Sequence, residues 1–168
     1  MIKDYAKFYN RLTAPLRGRP WAIKALRASN WILTKFMAVL YPFLLLDLLW
    51  QRQFYDLGLT ILIPGLAFTG LSYFRMSLNL PRPYETWAIS PLIHKASKGN
   101  SLPSRHVFSA AMVSLCLYQI SSRVSVLCLV LSAILALCRV LGGVHYPRDV
   151  ILGYLVGVLA GLLLLIFL

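Results

Sequence analysis

The stretch Asn100–Ser122 reads NSLPSRHVFSAAMVSLCLYQISS. Its first seven residues crowd a Ser, an Arg and a His beside a Pro, and from His106 to Ser122 there is no Asp, Glu, Lys or Arg. A charge-free run of this length is close to the roughly 17 to 25 residues that cross the hydrocarbon of a bilayer. The same piece of chain therefore predicts both a membrane helix and a polar cluster at its mouth.

Working outward, two further charge-free runs, Leu57–Phe74 and Val150–Leu168, have the same character. Val124–Cys138 is shorter, but Arg123 and Arg139 bracket it and can snorkel outward. Trp31–Trp50 contains Lys35 and Asp47 near its ends, with tryptophans at both edges as interfacial anchors. The whole chain is 59% hydrophobic and 13% charged, against about 25% charged in soluble domains. The expected fold is all-α, a polytopic membrane helix bundle of about five transmembrane helices over residues 31–168.

Residues 1–30 form a different unit, a basic amphipathic interfacial segment with Lys3, Lys7, Arg11, Arg17, Arg19, Lys24 and Arg27 and without the apolar core of a cleavable signal. Tyr5, Phe8, Tyr9 and Leu12 recur at helical spacing, and Pro15 and Pro20 are expected to break the arm before a second short helix over Trp21–Ala28. The formal net charge of +12 suits anionic headgroups. Nucleic acid is not an expected partner, because the basic residues flank membrane spans and no binding motif accompanies them. Cys116, Cys128 and Cys138 lack metal-ligand spacing and read as packing residues. Gly153, Gly157 and Gly161 repeat every four residues and give one flat helix face, for a neighbouring helix or for a homodimer.

With the spans removed, the polar residues gather on one side of the membrane. The connections Gln51–Asp56 and Ser121–Arg123 carry one Arg each, whereas Arg75–Arg105 and Arg139–Asp149 hold most of the rest. Arg75 and Arg82, with six residues between them and Pro83 following, read either as interfacial anchors or as two guanidinium forks turned to one anion. Pro103 and Ser104 suit a helix start, with Ser104 a candidate N-cap whose neighbouring N–H groups cradle anions. In CRVLGGVHYPRD, Asp149 follows His145 by four residues, close enough for a carboxylate to fix the imidazole tautomer. Asp149 taken alone also suits a helix start, where the dipole favours a carboxylate.

Two histidines, one carboxylate and several arginines fit phosphoryl transfer, whose transition state spreads negative charge that arginines clamp while a nucleophile and an acid stand in line. Asp149 marks His145 as the nucleophile, and His106 is left as the acid. A metal is not expected in so basic a setting, nor is any other cofactor.

These residues resemble the type 2 phosphatidic acid phosphatase superfamily of integral-membrane lipid phosphatases. Its three-part pattern is Lys, six residues, Arg-Pro; Pro-Ser-any-His; and Ser-Arg, five residues, His, three residues, Asp. Here it reads Arg75 with Arg82 and Pro83; Pro103, Ser104 and His106; and Arg139, His145 and Asp149, over roughly Leu57–Leu168. Arg75 stands where Lys is usual and Cys138 where Ser is usual. The resemblance implies a phosphohistidine at His145, oriented by Asp149, with His106 protonating the leaving group. Arg75, Arg82, Ser104 and Arg139 would hold the phosphate, with Arg105 and Lys98 as secondary candidates.

The family is a six-helix membrane bundle that includes enzymes acting on undecaprenyl diphosphate, phosphatidylglycerophosphate and phosphatidic acid. Little extramembrane mass resembles its bacterial members. Lys95, Lys98 and Arg105 suit a diphosphate, which makes undecaprenyl diphosphate the expected substrate. A phosphotransferase would share every catalytic residue, whereas a non-catalytic lipid binder would need no His145–Asp149 pair. The family usually works on the outer face, which implies an extracytoplasmic site, although the basic arm on the same side argues for the cytoplasm by the positive-inside rule.

Overall fold

The computed structural model describes residues 4–95 and 97–168; Met1–Lys3, the start of the expected arm, and Ala96 lie outside them. The described chain is helical: α1 (Tyr5–Arg17), α2 (Pro20–Trp50), α3 (Phe54–Leu78), the single turn α4 (Pro83–Thr86), α5 (Arg105–Cys116), a 3-10 turn (Leu117–Gln119), α6 (Ser122–Leu141) and α7 (Pro147–Phe167). Among the described residues, four helical stretches are long and apolar enough to cross a membrane: α2, Phe54–Thr86 with α3 in it, α6 and α7. The chain is a multi-pass membrane protein.

The remaining expected span, His106–Ser122, differs from its neighbours. Its α-helix is 12 residues long and its 3-10 turn three, together about 24 Å against a hydrocarbon core of about 30 Å. Nine of the 12 residues of α5 are buried. A helix apolar all round is stable only inside a bundle, and α5 is the central post, packed against α7, α6, α2 and α3. The outer helices show lipid-facing side chains, among them Phe43, Leu66, Leu137 and Leu159. In bilayer such exposure is cost-free.

The contact between α5 and α7 depends on the glycine repeat. A Cβ on Gly153 would stand 2.6 Å from the Ser104 carbonyl oxygen, one on Gly157 2.4 Å from the Phe108 carbonyl oxygen, and one on Gly161 2.5 Å from Leu115 Cβ. The face that the sequence leaves open to a homodimer is thus occupied by α5 of the same chain. Away from the polar end, Gln119 Nε2 donates to Thr60 Oγ1 (3.0 Å) and Tyr41 Oη to the Thr60 carbonyl (2.8 Å), tying the 3-10 turn, α3 and α2 together.

The N-terminal region departs from expectation in two ways. Pro15 is carried inside α1, and the short helix expected over Trp21–Ala28 is the first part of a continuous 31-residue α2. Pro20 at the first turn starts that helix, and nothing between Ala28 and Trp31 breaks it. The aromatic stripe of α1 also divides: Tyr5 and Tyr9 are buried against the protein, while Leu12 is exposed. Tyr9 Oη donates to the Leu141 carbonyl (3.0 Å) and accepts from the Leu92 N–H (3.3 Å). Those partners explain the inward turn, because a buried phenol needs them.

Candidate active site

Four helix ends and two loops converge at one end of the bundle. Arg75 occupies the last turn of α3, which closes at Asn79 in the left-handed region (φ 38°), its N–H bonding the Arg75 carbonyl at 3.0 Å. Arg82 directly precedes α4, whose Pro83 fixes the turn. Ser104 is the N-cap residue of α5, as expected, but its hydroxyl makes no capping bond and is buried without a partner. Arg139 lies in the last turn of α6, and Gly143 (φ 74°) reverses the chain so that His145 precedes α7 by two residues. Asp149 is not the N-cap. It sits at the third position of α7, and its Oδ2 accepts from the N–H of the N-cap residue Tyr146 at 3.1 Å.

The two loops are joined directly. Ser104 N–H donates to the Asp149 carbonyl at 2.8 Å, so the starts of α5 and α7 are registered to each other. Gly153 permits it, since any side chain there would meet the Ser104 backbone.

His145 and Asp149 are 1% and 0% exposed, with Nδ1 3.5 Å from Oδ2. The same Oδ2 accepts the Ser101 hydroxyl. Arg82 Nη1 lies 3.5 Å from His145 Nε2 and donates to the Val144 carbonyl at 3.2 Å, while Arg82 Nε donates to the Gly99 carbonyl at 3.0 Å. Gly99 N–H is held in turn by the Glu85 carboxylate (2.8 Å), and Tyr84 Oη donates to the Ser97 carbonyl. Glu85 and Tyr84 therefore pin the loop that braces Arg82.

Buried cations that pair with no carboxylate among the described residues dominate the site. Arg75, Arg82 and Arg139 are 8%, 3% and 4% exposed. Arg75 donates through Nη2 to the Asn100 carbonyl, yet Nε of both Arg75 and Arg139 is buried with no partner among the described residues. Buried donors without acceptors are costly, and together with the Ser104 hydroxyl they form a set suited to the oxygens of an anion.

A cavity of about 350 Å³ is lined by Arg75, Arg82, Lys95, Lys98, Arg105, His106 and His145, with Ser72, Met76, Ser97 and Asn100. Burial pushes the His145 imidazole down to about 4, against the pull of Asp149 and helped by Arg82 and Arg139. It is thus held neutral, the state a nucleophile needs. Lys95 is pushed down to about 8, first by burial and then by Arg82, Arg139, Arg75 and Arg105. A second cavity of about 570 Å³ has Arg105 and His106 in its wall but is otherwise mostly apolar, bounded by Met37, Ala38 and Tyr41 of α2, Pro64, Gly65 and Phe68 of α3, and residues of α5 and α6.

All seven principal candidates thus come to one end of the fold, with Lys98 and Arg105 at the cavity wall and His94 exposed beside it. Sequence reasoning passed over Ser101 as a partner of Asp149, and the tyrosines of α1 as partners of the loops. A serine two residues before Pro103 gives no periodic signal, and Tyr9 reaches its partners across more than 80 residues.

The chain matches the family model of the PAP2 superfamily over residues 53–168. It is 32% identical over 87 residues to the bacitracin transport permease protein BcrC of Bacillus licheniformis, a stretch that is 50% of this chain and 43% of that protein. The chain spans less than half the length of that relative. Two solved structures share the fold: Aquifex aeolicus LpxE, with a TM-score of 0.73, 22% identity and 98% of each chain covered, and the PAP2 type phosphatidylglycerolphosphate phosphatase of Bacillus subtilis, with a TM-score of 0.76, 21% identity and 97% and 84% covered. With the motif residues gathered at one end of the fold, four of them (Arg75, Arg82, His106 and His145) lining its polar cavity, and the family match running through all of them, the chain belongs to the PAP2 superfamily.

Proposed function

We propose that the chain hydrolyses the terminal phosphate of a membrane lipid diphosphate, converting undecaprenyl diphosphate to undecaprenyl phosphate, through a phosphohistidine and without a metal. The observation that carries it is the pair of cavities sharing Arg105 and His106, one lined by cations and the other by apolar helix surface. A phosphorylated head fits the first and a hydrocarbon tail the second.

In this mechanism the terminal phosphoryl group lies among Arg75, Arg82, Arg139 and the Ser104 hydroxyl. Neutral His145 attacks phosphorus through Nε2 while Asp149 holds the Nδ1 proton and stabilises the developing imidazolium. His106 gives its proton to the departing oxygen as the P–O bond breaks. A water, deprotonated by His106, then attacks the phosphohistidine, breaking the P–N bond and releasing inorganic phosphate. The guanidinium groups supply the positive charge that this transition state needs. One carboxylate and two histidines among three arginines would bind a divalent cation poorly.

The active site is assigned to the extracytoplasmic face. The basic arm lies on the same side, but Arg17 donates to the Ser90 carbonyl (2.6 Å) and Arg27 to the Leu92 carbonyl (2.7 Å). Those charges serve the fold, which weakens them as cytoplasmic topology signals.

The test is phosphate release from undecaprenyl diphosphate and from phosphatidylglycerophosphate in detergent with chelator present, comparing wild type with His145→Ala. Release by wild type alone, faster on the diphosphate, is the expected result. Activity that the chelator abolishes, or that His145→Ala retains, overturns the mechanism.

A further inference from the structure

The doorway between the two cavities holds a cation that the phosphate clamp does not use. Arg105 and His106 are the two residues common to both walls; Arg75, Arg82, Lys95 and Lys98 line the polar cavity alone. Arg105 is exposed, and among the described residues it forms no ion pair. Its guanidinium is held over the ring of Phe68 at 5.5 Å from the centroid, and Phe68 is itself a wall residue of the apolar cavity. An aromatic face under a guanidinium steadies it while leaving its N–H edges free for a ligand.

The position fixes what Arg105 meets. On the proposed mechanism the leaving oxygen stands at His106, so the next group along the lipid lies between His106 and the apolar cavity. In a lipid monophosphate that group is an uncharged carbon of the alcohol. In a lipid diphosphate it is the inner phosphate, which stays on the product.

We infer that Arg105 is a specificity-determining residue that binds the inner phosphate of a lipid diphosphate and so selects diphosphates over monophosphates. The inference rests on the lipid phosphatase function proposed above and adds the basis of its substrate choice. A simple interfacial anchor snorkelling over Phe68 has a different signature, since it makes no distinction between the two lipid classes.

The experiment compares Arg105→Gln and Arg105→Lys with wild type on two substrates, farnesyl diphosphate and phosphatidic acid, each in the same detergent. Loss of a charge-assisted contact corresponds to a fall of about 10- to 100-fold in kcat/KM. That fall is expected for Arg105→Gln on the diphosphate, with phosphatidic acid hydrolysis changed by less than about threefold. Arg105→Lys, which keeps the charge but not the fork, should fall between them. Inhibition by farnesyl monophosphate, which retains the inner phosphate, should weaken in parallel. Equal losses on both substrates, or none on the diphosphate, overturn the role of Arg105. Wild type inert on both lipids overturns the lipid phosphatase function itself, an outcome visible without any variant.

Discussion

Tyr5 lies edge-on to Tyr146, ring centroids 4.7 Å apart and planes inclined at 64°, so the first helix touches the residue that follows His145. One turn later Tyr9 bonds the Leu141 carbonyl and the Leu92 N–H, and its hydroxyl fills the space where a Cβ on Gly143 would stand, 2.7 Å away. The amphipathic arm therefore clasps both loops that build the site.

Tyr9→Phe keeps the ring and removes the two hydrogen bonds. The expected result is a fall in kcat of about 10-fold, because small displacements of a reacting group are costly, with KM little changed. Steady-state kinetics in detergent read it. A variant that changes KM alone would show that the arm acts on lipid binding and not on the His145 loop.

Ser101 and His145 share one oxygen of Asp149. Asp149→Asn should lower kcat by about 10³- to 10⁴-fold, since an amide cannot hold the imidazole tautomer or stabilise its charge. Ser101→Ala leaves the carboxylate in place with one donor fewer, and about 10-fold is expected. The ordering of the two variants in single-turnover phosphate release is the check.

Much of this was legible in the sequence, for physical reasons. Runs without charge identify membrane helices because lipid does not tolerate exposed charge, and the clustered Arg, His and Asp mark the candidate site because those groups must lie outside the hydrocarbon. What stayed hidden depends on packing. The length of α5, 12 residues where the charge-free run suggests 17, is set by its packing as a central helix shielded by α2, α3, α6 and α7. Tyr9 and Ser101 were missed because their partners are distant in sequence and chosen by the fold. The glycine repeat announced close packing against a neighbouring helix but not which one, and the helix it meets is α5.

The pH dependence follows from two groups outside the membrane-spanning helices. His145, held down to about 4 chiefly by burial, remains neutral well into acid, and on the proposed mechanism its contribution to the kcat/KM profile should fail only near pH 4. Its ordinary value is about 6.5, so between about 6.5 and 4 the unfolded chain binds more protons at this site than the folded one. Folding stability should therefore drop as the pH falls through that window, and His145→Gln should remove this part of the drop. Lys95, facing Arg82, Arg139, Arg75 and Arg105 and held down to about 8, loses its charge on the alkaline side. KM should rise above about pH 8 in wild type and be flatter in Lys95→Met.

Gly157 tests the α5–α7 contact on which the site is hung. A Cβ there would stand 2.4 Å from the Phe108 carbonyl oxygen, which is backbone and cannot swing aside. Gly157→Ala should force the helices apart and cost about 1 to 3 kcal/mol, the usual penalty of overpacking, seen as a lower midpoint of thermal unfolding in detergent. Gly58→Ala in α3 is the control, because nothing lies within 4 Å of its Cβ, and replacing a helical glycine in open space should stabilise by about 0.5 to 1 kcal/mol. Gly153→Ala combines both questions. Its Cβ would press on the Ser104 backbone, 2.6 Å from the oxygen, and that backbone registers α5 to Asp149. Activity should therefore fall further in Gly153→Ala than in Gly157→Ala at equal loss of stability. Equal activities would mean that the register between Ser104 and Asp149 does not set the catalytic geometry.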